Sequence, residues 1–255
     1  MVDLKAPTCW EELSEAQLRY VLELLAMGMG NDEVQAYAFV RFTGIKVHRR
    51  DPDVGWLCEK DGTQFRLQPW EVQSFVSTLG YLSQPDKCRV RLPKAMVGGK
   101  QLHAVDAELH GYPFIDWLTL ENTYQGCMGA ADGRDSNTLD TIRGNLDGLC
   151  RLLYLDSEDN RIEGGTFDNA TLIGALLWIT GVKSLFRETF PRLFSPADGN
   201  GTYDPMASVN AQVRALTDGD VTKEKAVFAT DVWRALTELE AKLRDQDELR
   251  KNTKK

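Results

Sequence analysis

The chain has little of what recognisable chemistry usually requires. His48, His103 and His110 are its only histidines, and no His or Cys pair has zinc-site spacing. Its five cysteines, Cys9, Cys58, Cys88, Cys127 and Cys150, are odd in number, scattered and never in a CxxC pair. That usage points to reduced thiols in a cytosolic setting and excludes a disulfide framework. No GxSxG elbow, GxxxxGK[ST] phosphate cradle or dinucleotide fingerprint occurs. The expectation is a protein without active site, cofactor or metal, the alternative being an enzyme whose residues meet only in space.

Basic charge is also short. Thirty Lys and Arg face 38 Asp and Glu, a net charge of −8, whereas nucleic-acid and anionic-membrane binders gain affinity from clustered cations. Neither partner is expected. The longest apolar segment, Leu172 to Val182, is too short to span a bilayer. The opening MVDLKAPTCWEELSEAQ lacks the basic start and apolar run of a secretory signal, so a soluble intracellular protein is expected.

What the chain does have is periodic apolar sequence. Its 255 residues, 42% hydrophobic and 27% charged, suit one large folded domain or two small ones. Thr8 with Glu11, then Ser14 with Gln17, have capping-box spacing. A helix from about Ser14 to Met27 follows, with Leu18, Val21, Leu22 and Leu25 on one face, and a second from Asp32 to Phe42. Ile45 to Arg49 alternates weakly, and Gly55–Lys60 meets Thr63–Leu67 across Asp61-Gly62, a dipeptide favoured in type I′ turns. Pro69 suits the first turn of a helix from Trp70 to about Leu82.

Residues 83 to 111, with Pro85, Pro93 and Gly98-Gly99, read as a connector. Helices are expected over Pro113 to Met128, Leu139 to Leu155, Thr171 to Phe190, Met206 to Leu216 and Thr222 to about Leu249. The polar stretches Gly129 to Thr138, Asp156 to Asn169 and Ser195 to Pro205 between them read as loops. The fold class is therefore mainly α, a multi-helix domain with a small antiparallel β-hairpin insertion. Residues 1–84 make an N-terminal helical region with the hairpin at about 45–67, 85–111 the connector, 112–249 a C-terminal helical region and 250–255 a frayed basic tail.

Acidic loops beginning at Asp156, Asp198 and Asp218 look like calcium sites. An EF-hand needs glycine at its sixth position, where these have Arg161, Tyr203 and Lys223, so polar turns and caps are expected. Gly219-Asp220-Val221-Thr222-Lys223 reads as a helix start capped by Thr222. Two helices carry candidate contact residues. His110 to Gly126 is the densest aromatic stretch, with Trp117 and Tyr124 beside a polar Glu121/Asn122/Gln125 edge. The last helix has Val232, Leu236, Leu239 and Leu243 at 3-4 spacing with Trp233 beside them. Both patterns suit burial in the chain's own core, or a protein partner's groove, where Trp and Tyr are over-represented.

Four segments carry a resemblance: Pro7 to Gln17, Phe39 to Ile45, Leu118 to Gly126, and Val209 to Leu216 with Gly219 to Lys223. They resemble uncharacterised proteins of Bacteroidetes phages and prophages. By analogy, the resemblance implies a non-catalytic tail assembly chaperone or adaptor that binds helical partners such as the tape-measure protein. The alternative is a virion structural part such as a head-tail connector. It also implies a place in the cytoplasm of the bacterial host, or in the virion. The partner-binding candidates are Val232, Trp233, Leu236, Leu239, Leu243, Trp117 and Tyr124.

Overall fold

The computed structural model describes residues 3–130, 136–194 and 205–253. The loop readings over Ala131–Asp135 and Ser195–Asp204, the Asp198 acidic loop, and the tail residues Lys254 and Lys255 lie outside them. The described chain is mainly α, with nine α-helices and two three-stranded antiparallel sheets. It divides into two compact units. One comprises residues 1–93 and 168–180, the other 94–167 and 181–255.

In the first unit, Ser14 caps α1 (Glu15–Ala26): its Oγ accepts from Gln17 N at 3.3 Å while the Gln17 side chain accepts from Ser14 N at 2.9 Å. The expected Thr8–Glu11 pairing is replaced by Glu12, whose carboxylate accepts from both Thr8 N and Thr8 Oγ1. Leu18, Val21, Leu22 and Leu24 of α1 are buried, as the 3.6-residue period requires. The helix α2 (Asn31–Thr43) ends at Gly44, whose φ of +69° suits a left-handed helix stop.

The first sheet joins β1 (Lys46–Asp51), β2 (Gly55–Lys60) and β3 (Thr63–Leu67) in that order. Asp61 and Gly62, at φ +50° and +74°, make the tight β2–β3 turn. The expected hairpin thus gains a third strand. Asp51 reverses the chain by accepting from Asp53 N and Val54 N, both at 3.1 Å, and Cys58 of β2 pairs with Val47 on one side and Phe65 on the other.

The next helix, α3 (Pro69–Ser77), stops five residues before the expected Leu82, and Gly80–Ser83 and Pro85–Lys87 form 3₁₀ turns instead. Trp10 anchors this region. It is 1% exposed, lies edge-on to Tyr81 at 5.8 Å, and donates from Nε1 to the Gln84 carbonyl. The first part of α6 (Asn169–Thr189) belongs to this unit, with Ala170, Ile173 and Leu177 packed on its core. Among the described residues α6 alone is long and apolar enough to cross a membrane, and 61% of that stretch is buried.

The second unit corrects the connector reading. Residues 94–104 form a hairpin of β4 (Lys94–Val97) and β5 (Lys100–Ala104), and β6 (Tyr154–Leu155) pairs with β5. Its helices are α4 (Phe114–Ala130), α5 (Ser136–Leu153), the end of α6, α7 (Pro205–Thr217), α8 (Glu224–Phe228) and α9 (Val232–Thr253). Helices α4 and α5 approach closely where side chains vanish: a Cβ on Gly126 would lie 2.8 Å from Asn145 Nδ2, and one on Gly148 3.4 Å from Thr123.

The stretch after β6 is tied down. Arg151 donates to the carbonyls of Ile162 and Gly165 at 3.0 and 2.8 Å, and Asp156 Oδ1 accepts from Glu158 N and Asn160 N.

The expected single helix from Thr222 is broken. Asp231 caps α9 by accepting from Arg234 N at 3.1 Å, and its other oxygen accepts from Gly111 N at 2.6 Å. The backbone of Tyr112–Phe114 bonds to Thr230 and Val232 on either side of it. These tertiary bonds compete successfully with continuation of α8 into α9.

Candidate functional site

The helix α4 presents Trp117, Leu118, Glu121, Asn122 and Gln125 along one face, at the i, i+1, i+4, i+5, i+8 spacing that a 3.6-residue repeat brings together. Lys183 and Arg187, one turn apart on α6, meet this face, and α7 adds Ser208, Val209 and Gln212. The result is a cavity of about 270 Å³ within the second unit. Its polar edge on α4 is the one visible in the sequence. Its cation is not.

Lys183 is the centre of the arrangement, with a side chain 4% exposed. Its Nζ donates to Glu121 Oε1 at 2.6 Å and lies 4.1 Å from the Tyr124 ring centroid, a cation–π distance. Gln125 Nε2 donates to the same Oε1 at 2.7 Å, while Glu121 Oε2 is buried and receives no hydrogen bond. Burial pushes the Lys183 pKa down; the Glu121 carboxylate opposes that shift and Arg187 adds to it. Among the described residues, two cations and one carboxylate line the cavity.

The predicted contact residues turn inward. Val232, Leu236 and Leu239 are 0%, 1% and 4% exposed, Trp117 and Tyr124 are 2% and 8% exposed, and Trp233 and Leu243 are half-buried. Trp117 and Trp233 both lie edge-on to Phe186, at 4.9 and 5.0 Å, and Phe190 packs 5.7 Å from Trp233. Trp233 also stacks on His110 and donates from Nε1 to the Glu108 carbonyl at 2.7 Å. The stripe expected as a partner surface is thus core in this structure, with Trp117 and Leu236 also lining the cavity.

The loop before α8 is a cap. Asp220, in place of the expected Thr222, accepts from Thr222 N and Oγ1 at 3.0 and 2.6 Å, because a carboxylate two residues upstream reaches both donors. The chain enters through a 3₁₀ turn, Val221–Lys223, before α8 begins. Asp218, at φ +54°, pairs with Lys242 of α9, and Lys223 lies 3.7 Å from Asp220.

Each histidine pairs with a surface carboxylate, His48 with Glu59, His103 with Asp159 and His110 with Asp106. Cys58, Cys88, Cys127 and Cys150 are buried and in no disulfide. No group of three metal-binding side chains occurs among the described residues. Comparison with protein-family models, curated proteins and solved structures gives no match.

Proposed function

We propose that this chain is a non-catalytic adaptor that binds a helical protein partner, in the manner expected of a phage tail assembly chaperone, and that the end of α9 makes the contact. The observation carrying this reading is the exposure of α9: every residue from Arg244 to Asn252 is exposed, although the helix runs on to Thr253. That length projects about 15 Å at 1.5 Å per residue. A short helix with little packing is marginal in water.

Its sequence suits docking rather than burial. Leu249 is 67% exposed, and Arg244 with Glu248, and Asp247 with Lys251, stand at i, i+4 spacing. A helical partner seated on this segment would cover Leu249 and meet charges of both signs. The inward stripe from Val232 to Leu239 then serves to hold the base of α9 rigid.

The test is a chain ending at Leu243, co-expressed with a phage tape-measure protein. The expected outcome is a melting temperature within a few degrees of the full chain, together with loss of tape-measure co-purification. Retained co-purification, or failure of the full chain to bind the tape-measure protein, overturns the reading.

A further inference from the structure

We propose that the free edge of β1 takes an acidic, extended segment of another protein by strand addition. The first sheet has the order β1-β2-β3, so β1 pairs with β2 on one side only. On its other side no backbone group of Lys46–Asp51 is paired among the described residues. Alternate residues of an antiparallel edge strand turn their N–H and C=O groups away from the sheet, and an extended chain laid alongside satisfies them.

The side chains on this edge select the chain that it takes. Lys46, Arg49 and Arg50 set three exposed cations within five residues, in a protein whose net charge is −8. Lys46 and Arg50 have no carboxylate partner among the described residues, and Arg49 has only Asp51, at 3.3 Å in an exposed pair of little strength. Asp51 itself is committed to the turn, where its Oδ1 accepts from Asp53 N and Val54 N. The Arg50 guanidinium lies 4.8 Å from the Trp56 ring centroid and 5.7 Å from that of Tyr37. Those rings hold it in place before a partner arrives, which lowers the ordering cost of binding.

A second copy of this chain fits the edge badly. Antiparallel pairing of two β1 strands would set Lys46, Arg49 and Arg50 against the same residues, and like charges opposite one another are destabilising. A strand with carboxylates at alternate positions meets those cations instead. It takes its register from the regular stretch Arg49–Asp51, beyond the bulge between Val47 and Arg49. This contact is separate from the one at α9, and a chain ending at Leu243 keeps β1, so either reading can fail without the other.

Three end-blocked peptides isolate charge from backbone pairing: Thr-Glu-Val-Glu-Val-Glu-Thr, the same sequence with lysine for glutamate, and the glutamate peptide N-methylated at every internal residue. Titration calorimetry on the full chain should show the unmodified glutamate peptide binding on the order of tenfold more tightly than either control, and less tightly as salt rises. Hydrogen exchange should slow within Lys46–Asp51 when that peptide is bound. Lys46→Gln with Arg49→Gln, both at exposed positions, should keep the melting temperature and weaken the glutamate peptide by about threefold to tenfold. Absence of glutamate-peptide binding, or an equally tight lysine peptide, would overturn the proposal. An equally tight N-methylated peptide would do the same by showing a general anion surface without strand addition. Protection confined to residues outside β1, or a peptide-free dimer that already protects Lys46–Asp51, would also overturn it, the latter by giving the edge to a second copy.

Discussion

At the scale of single residues, Lys183 shows how position outweighs residue type. Lysine is almost never fully buried unless paired, yet this one is 3% exposed on the same face of α6 as Ile179 and Phe186, with the buried Phe190 just past the helix end. The signal was present in the sequence: positions 179, 183, 186 and 190 follow helical spacing, so the period places Lys183 among core residues. Its partner Glu121 sits 62 residues away. No local pattern pairs residues at that separation. Removing one member of such a pair leaves the other buried and uncompensated, so Lys183→Met alone should cost ~3–5 kcal/mol, whereas Lys183→Met with Glu121→Leu should recover much of that loss. Urea denaturation of the two single variants and the double variant gives the coupling. A Lys183→Met chain as stable as the parent would show that the pair is not the centre of this core.

At the scale of elements, helices were legible and short strands were not. The apolar repeats of α1, α4 and α6 mark one face each, and the observed ends lie within a few residues of the expected ones. The strands of the second sheet are four, five and two residues long, too short for alternation to be recognised, and β6 lies far from β4 and β5 in sequence. For α9 the stripe itself was legible, but its direction was not. An apolar face at 3-4 spacing has the same sequence whether it packs on its own chain or on another. The break before α9 came from Asp231, whose carboxylate joins a loop 120 residues away.

The glycines of the first sheet separate two reasons for the same residue. Gly55 has φ +93°, and a Cβ there would lie 2.0 Å from the Leu67 carbonyl oxygen, a backbone atom that cannot rotate aside. Gly62, at φ +74°, faces open space. Gly62→Ala should therefore cost only the left-handed penalty of ~1–2 kcal/mol, while Gly55→Ala must also displace β2 from β3 and should cost distinctly more. Thermal melts of the two variants side by side decide this, and equal losses would mean that the β2–β3 contact at Gly55 is looser than described.

At the scale of the whole molecule, the buried thiols link both units to pH. Burial pushes Cys88 in the first unit up to about 12 and Cys127 in the second up to about 11, and also raises Cys58, Tyr81 and Tyr112. An unfolded thiol loses its proton near pH ~8.5. Between that pH and the folded values the native chain holds protons that the unfolded chain has released, so stability falls as pH rises. The stabilisation is fully present below pH ~8.5, and each engaged thiol removes up to ~1.4 kcal/mol per pH unit above it. The net charge of −8 grows more negative over the same range and adds self-repulsion. The two contributions separate by substitution: a Cys88→Ala, Cys127→Ala chain keeps the repulsion from its carboxylates but lacks both thiol ionisations. Melting temperatures taken from pH ~8 to ~10.5 should fall for both chains and fall less steeply for the double variant. Equal slopes would assign the alkaline loss to charge repulsion and tyrosine ionisation, and would mean that neither thiol stays protonated in the folded chain across this range.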